Sequence, residues 1–194
     1  MRILFICTGN MTRSPLAEGV LKKKLTDAGH KSVEVLSAGT SAADGLDRDP
    51  VMLEVAAERG YDVSGKTKRV DYFSGIEADL ILCMEPHHVD YMKGILPSYF
   101  HSRIHLMLKY ALDSSGVIYD PTCRPKDFYH SVPIDFDKEL SSAAQASACC
   151  CVLRRSTSSS RICSINSVAS KCFLANFLMA SSLFSLRYLS VSIR

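Results

Sequence analysis

The stretch "ILFICTGNMTRSP", residues 3–15, decides the fold. An apolar run stops at Cys7, a Gly-Asn pair breaks it, and Arg13 stands directly before Ser14-Pro15. "RILFIC" at 2–7 is short and continuously apolar after its first residue, which predicts a strand buried on both faces. Proline behind serine predicts a helix start. Leu16, Ala17, Val20, Leu21 and Leu25 then recur at helical spacing, and "AGH" at 28–30 supplies the stop.

The same alternation continues down the chain. "VEVLSAG" predicts a second strand, and Asp49-Pro50 caps a helix through "VMLEVAAERG" that ends on Gly60. "ADLILCM" predicts a third strand, "PHHVDYMKG" a short helix and "RIHLML" a fourth strand. Strands alternating with helices imply a parallel sheet covered on both faces. In such sheets ligands bind at the carboxyl ends of the strands, which is where Cys7 falls.

The residue types in "CTGNMTRS" suit one kind of chemistry. A free cysteine has a pKa of roughly 8.5, and a helix N-terminus or a nearby cation lowers it. A loop from Thr8 to Ser14, running into a helix, brings backbone N–H groups together with the positive end of the helix dipole. Such a nest takes an anion with several oxygens. Arg13 adds a planar fork matched to two phosphate oxygens. Gly9 and Asn10 are the residues that best accept the positive φ angles expected in such a turn. An isolated cysteine six residues before an arginine is usually a buried cysteine ahead of an ordinary turn. Here the strand before it, the helix start behind it and its place at the ligand end of the sheet favour a thiolate at the base of a phosphate cradle.

"ILFICTGNMTRSPLAE" resembles the signature of the low-molecular-weight protein tyrosine phosphatases, a family with protein arginine phosphatases and arsenate reductases as relatives. The resemblance continues through "SAGT" at 37–40, "DRDPVMLEVAAERGYDVSG", "ADLILCMEPHHVDYM" and "DPTCRPKDFYHSV" at 120–132. It implies a flavodoxin-like three-layer α/β sandwich with a four-stranded parallel sheet. It also implies hydrolysis of phosphotyrosine through a cysteinyl-phosphate intermediate, without metal or cofactor. By the same resemblance Cys7 is the nucleophile, and Arg13 with Thr8, Gly9, Asn10, Met11, Thr12 and Ser14 forms the phosphate loop. Ser14 stabilises the thiolate, Asn10 and Ser37 hold the loop's shape, and Asp120 is the general acid. Taken alone, Asp120-Pro121 also reads as a turn dipeptide, like Asp49-Pro50.

Several positions depart from the family pattern. Thr12 stands where many members carry a second cysteine, so no internal disulfide is expected to shield Cys7 from oxidation. Met11 is apolar, as in the tyrosine phosphatases, where arginine phosphatases tend to have threonine; this favours an aryl phosphate. The usual aromatic residues of the aryl slot are missing, and Tyr119 is the available substitute. Lys66 replaces a histidine that many members have after "SG". Cys83 lacks the nearby partner that arsenate reduction needs, and "ILCM" reads as core. His87, His88, His101, His105 and His130 read as surface or satisfied polar residues, with no metal-ligand spacing.

Composition divides the chain. All 20 acidic residues lie in 1–140 with 17 Lys and Arg, whereas 141–194 holds six basic residues and no acid. The body is mildly acidic, which gives no sign of a nucleic-acid surface. Its three scattered cysteines and the short apolar run after Arg2 read as a cytosolic protein rather than a secreted scaffold. A phosphatase domain over 1–140 is thus followed by a tail over 141–194 with 15 serines, five cysteines and no Asp, Glu, Gly, Pro or His. That composition reads either as the product of an altered reading frame or as a basic tail. "CFLANFLMASSLFSL" is too interrupted by Asn176 and serines to span a membrane. Pro133 breaks the helix pattern that "DFYHSV" begins, and a bare sheet face there would leave the protein catalytically silent.

Overall fold

The computed structural model describes residues 1–30, 32–112 and 116–132. The tail over 141–194, its boundary and the course of the chain past Val132 lie outside the described residues. In chain order the elements are β1 (Arg2–Cys7), α1 (Arg13–Asp27), β2 (Glu34–Gly39), α2 (Pro50–Glu58), α3 (Tyr72–Glu77), β3 (Leu80–Cys83), α4 (Pro86–Ile95), a 3-10 turn (Ser98–Arg103), β4 (Ile104–Leu106) and α5 (Met107–Leu112). Residues 126–132 are helical.

The four strands form one parallel sheet in the order β2-β1-β3-β4, the doubly wound arrangement expected of a flavodoxin-like fold. β1 is internal, so its side chains alternate between two buried faces. Ile3, Phe5 and Cys7 pack with Leu16, Val20, Met52 and Val55, whereas Leu4 and Ile6 pack with Ile81, Cys83, Met92 and Leu96. This explains why "ILFI" shows no polar alternation. Tyr129 and Val132 join the first face from the last described helical segment.

The terminal signals act as read. Asp49 accepts hydrogen bonds from the Val51 and Met52 amides, and Gly29 takes φ +76° just past α1. Three elements differ from expectation. The fourth strand covers only Ile104–Leu106, and "ML" opens α5 instead. β4 is an edge strand paired to β3 alone, and "MLKYAL" is rich in good helix formers. α3 was not foreseen, although Asp71 and Ser74 cap each other reciprocally at its start. The 3-10 turn was missed because it buries no residue completely and leaves no periodic pattern.

Candidate active site

Strand order reverses at β1, with β2 on one side and β3 on the other. The turns leaving β1 and β3 therefore face each other across the crevice where doubly wound sheets bind ligands. Cys7, only 2% exposed, ends β1 in register with Gly39 of β2. Its Sγ accepts the Asn10 amide at 3.2 Å and lies 3.0 Å from Ser14 Oγ. Of the two residues expected at positive φ, Asn10 alone adopts it, at 53°; Gly9 does not. One left-handed residue suffices to turn the amide of Asn10 back toward the sulfur. The Asn10 side chain then fixes that turn, because its Oδ1 accepts the Lys68 amide at 2.9 Å.

The Asn10 side chain also donates from Nδ2 to Ser37 Oγ at 2.9 Å and to Ser14 Oγ at 3.0 Å. Ser14 thus accepts one hydrogen bond and keeps its own proton for Sγ or for the Ala38 carbonyl at 3.3 Å. All four of Asn10, Thr12, Arg13 and Ser14 are buried. Gly39 presses directly on this turn. A Cβ there would lie 2.5 Å from the Thr8 carbonyl and 2.8 Å from the Asn10 amide, so only glycine permits the approach.

Among the described residues Arg13 is the largest fully buried side chain, and it is held from three directions. Its Nη1 donates to the Ile118 carbonyl at 3.0 Å and lies 3.2 Å from Glu85, while Nη2 donates to Asp120 at 2.6 Å. Its Nε is buried with no hydrogen-bond partner. A buried unpaired donor is costly, and a phosphate oxygen is the natural acceptor for it. Asp120 also accepts the Thr122 amide and hydroxyl at 3.0 and 2.7 Å. Partial burial favours its protonated form, but the Thr122 donors and Arg13 outweigh it, so the carboxyl sits below the ordinary range.

Met11 and Tyr119 are exposed, Tyr119 next to Asp120 in sequence. Thr8 Oγ1 lies 2.9 Å from His88 Nε2. Lys66 pairs with Asp47 on the surface. Cys83 is fully buried and its thiol is pushed up by burial, as a core residue's would be. Cys123 is exposed.

His88 corrects the reading of the histidines. It is fully buried at the start of α4, its Nδ1 has no partner, and burial first, then His87 and Arg13, lowers its pKa to about 3. It also belongs to a cluster with Glu85 and His87 whose potential ligand atoms lie within 4.8 Å of one another. Glu85, the carboxylate of this cluster, lies 3.2 Å from Arg13 Nη1 and is its counter-charge. Glu85, His88, Glu18, Arg48 and Gly39 were given no role from the sequence. The signal for Glu85 is its place just past β3, visible only once the strand order is known.

The family model described as low molecular weight phosphotyrosine protein phosphatase matches residues 2–146. The protein-tyrosine-phosphatase Wzb of Salmonella typhi is 33% identical over 146 residues, covering 75% of this chain and 93% of its own. The low molecular weight protein-tyrosine-phosphatase of Streptomyces coelicolor is 35% identical over 101 residues, 50% of this chain and 60% of its own. Among solved structures, the tyrosine phosphatase of T. tengcongensis superposes with TM-score 0.70 at 30% identity, over 75% of this chain and 99% of that one. A YwlE mutant from Bacillus subtilis gives 0.72 at 26% identity, over 76% and 99%. A YwlE arginine phosphatase mutant with a phosphorylated active-site serine gives 0.71 at 25% identity, over 75% and 95%. The chain belongs to the low molecular weight phosphotyrosine protein phosphatase family.

Proposed function

We propose that this chain hydrolyses phosphotyrosine in proteins, with Cys7 as the nucleophile and residues 8–14 as the phosphate loop. The single observation that carries the reading is the buried, unpartnered Nε of Arg13, on a loop whose turn holds Cys7 Sγ between the Asn10 amide and the Ser14 hydroxyl.

The reaction follows from these groups. The phosphoryl oxygens take the loop N–H groups and the Arg13 fork, which stabilises the charge of the transferring group. The Cys7 thiolate attacks phosphorus in line, the P–O bond to the tyrosyl oxygen breaks, and Asp120 gives that oxygen its proton. The Asp120 carboxylate then takes a proton from water as the water's oxygen attacks the cysteinyl phosphate. The P–S bond breaks, releasing phosphate and restoring the thiolate. Ser14 supports the sulfur in both half-reactions as leaving group and nucleophile.

For Asp120 to act as an acid it must hold a proton, yet the Thr122 donors, and after them Arg13, hold its carboxyl below the ordinary range. A phosphate dianion resolves this conflict. It draws the Arg13 fork to itself and sets negative charge beside the carboxyl, and both effects favour protonation. Met11 at the rim and Tyr119 beside Asp120 offer apolar surface to an aryl ring.

No described helix is long and apolar enough to cross a membrane, and we read the enzyme as cytoplasmic, without metal or cofactor. The test is phosphate release by the full chain from phosphotyrosyl and phosphoarginyl peptides offered side by side, with Cys7→Ser as control. Preferential release from phosphotyrosine, abolished in Cys7→Ser, is expected. Preference for phosphoarginine would assign the activity of the YwlE-like relatives instead. No release from folded protein would sink the reading.

A further inference from the structure

The proposed nucleophile and the proposed acid come from distant parts of the chain. The loop over residues 8–14 leaves β1, whereas Asp120 lies in the turn before the helical segment over 126–132. An acid must stand within about 3 Å of the leaving oxygen, so the Asp120 turn has to be fixed relative to the loop. The bond from Arg13 Nη2 to Asp120 fixes it in the free site, but the proposed reaction gives the Arg13 fork to the phosphate. A second tie has to hold when the first is given up.

Asp49 and Tyr129 form such a tie. The Asp49 amide donates to the Met11 carbonyl at 3.2 Å, which joins this residue to the loop. Its Oδ1 accepts the Val51 and Met52 amides at 2.9 and 3.1 Å, so the start of α2 fixes the carboxylate. Oδ2 is left for the Tyr129 hydroxyl, which donates to it at 3.1 Å. The Tyr129 side chain is buried on the core face that also holds Met52. Burial, and after it Asp49, pushes its hydroxyl up to about 12, so the group stays protonated at working pH. Cys123 links this hydroxyl to the acid. At φ +63° it turns the chain three residues after Asp120, and its backbone amide faces the Tyr129 hydroxyl.

We propose that Tyr129 is a positioning residue for the reaction: its hydroxyl, held by Asp49, registers the Asp120 turn against the phosphate loop so that the acid meets the leaving oxygen. Neither the hydroxyl nor the Asp49 carboxylate is a group that the phosphate takes. Lys126 also crosses to Glu54 and Glu58 of α2, but those side chains are exposed, and such pairs hold little.

The inference rests on Asp120 as the general acid, and the experiment separates the two. In the full chain, kcat and KM are measured on a phosphotyrosyl peptide and on p-nitrophenyl phosphate, whose leaving group departs without a proton. An Asp120→Asn loss equal on both substrates overturns the acid itself. Given a loss concentrated on the peptide, Tyr129→Phe keeps the buried ring and removes only the hydroxyl. Its kcat should fall about tenfold on the peptide and less than about twofold on p-nitrophenyl phosphate, with KM little changed. Asp49→Ser breaks the same tie from the other end, because serine still caps α2 but has no second oxygen for Tyr129. It should show the same split. In an Asp120→Asn background neither change should cost more, since no proton is left to place. A Tyr129→Phe loss equal on both substrates overturns the proposal, and so does a folded Tyr129→Phe with the parent's kcat on the peptide. If Tyr129→Phe does not fold, Asp49→Ser decides by the same two outcomes.

Discussion

Arg13 Nη2 and Asp120 Oδ2 lie 2.6 Å apart, so the guanidinium we propose to bind phosphate and the carboxyl we propose as general acid pair with each other. The pair joins the start of α1 to the segment after α5, 107 residues apart in sequence. In the proposed reaction these two groups therefore cannot change state independently.

This coupling predicts proton uptake on anion binding. Asp120 sits below its ordinary range in the free enzyme, so at pH 5 to 6 it is ionised, and an anion that takes Arg13 raises it toward protonation. Sulfate binding to Cys7→Ser should consume a fraction of a proton. Calorimetry in buffers of different ionisation enthalpy reads this directly. Asp120→Asn should abolish the buffer dependence while sulfate still binds; equal uptake in both proteins would refute the coupling.

Asp120→Asn should also separate substrates by leaving group. An aryl phosphate with an acidic phenol departs without a proton, whereas tyrosine does not. The loss in kcat should be about 10²–10⁴ for phosphotyrosine, the usual contribution of a positioned acid, and much smaller for p-nitrophenyl phosphate. An equal loss on both would assign Asp120 to loop structure instead.

Gly39→Ala tests how tightly β2 braces the loop. The added methyl would sit 2.5 Å from the Thr8 carbonyl and 2.8 Å from the Asn10 amide, both backbone atoms that cannot swing away. Overpacking of this kind costs about 1–3 kcal/mol, and here relief must come from moving the turn that holds Cys7. Melting should drop by several degrees and kcat should fall with it. A variant that melts lower with unchanged kcat would show that the loop does not depend on this contact.

Much of the site is local and was therefore legible. Cys7, Asn10, Arg13 and Ser14 meet because one strand, one turn and one helix start place them together, and a strand–turn–helix carries its own sequence signals. Asp49 and Gly29 announced their helix ends for the same reason. Contacts set by strand order were not legible. Glu85 and His88 reach Arg13 and Thr8 only because β3 lies beside β1, and Arg48 reaches Glu18 only because the segment before α2 folds back on α1. Gly39 received no role from the sequence because nothing in "SAGT" shows which backbone presses on it. The edge strand and α5 were misjudged where apolar residues suit either state, the ambiguity expected of a short apolar run.

His88 gives the last prediction, on stability against pH. Its folded pKa is lowered from 6.5 to about 3, chiefly by burial, so the unfolded chain binds a proton in this window that the folded one refuses. Stability rises with pH wherever the unfolded state holds more protons. The contribution is therefore fully present above about pH 6.5 and is lost progressively as pH falls toward 3. His88→Asn keeps an uncharged polar group near Thr8 without a titrating ring. Denaturant midpoints of the two full-length proteins should differ most at pH 7 and converge on acidification, the parent losing stability faster between pH 6 and 4. Parallel curves across that range would mean that the ring is charged or free to reach water in the folded protein, and would contradict its burial beside Thr8.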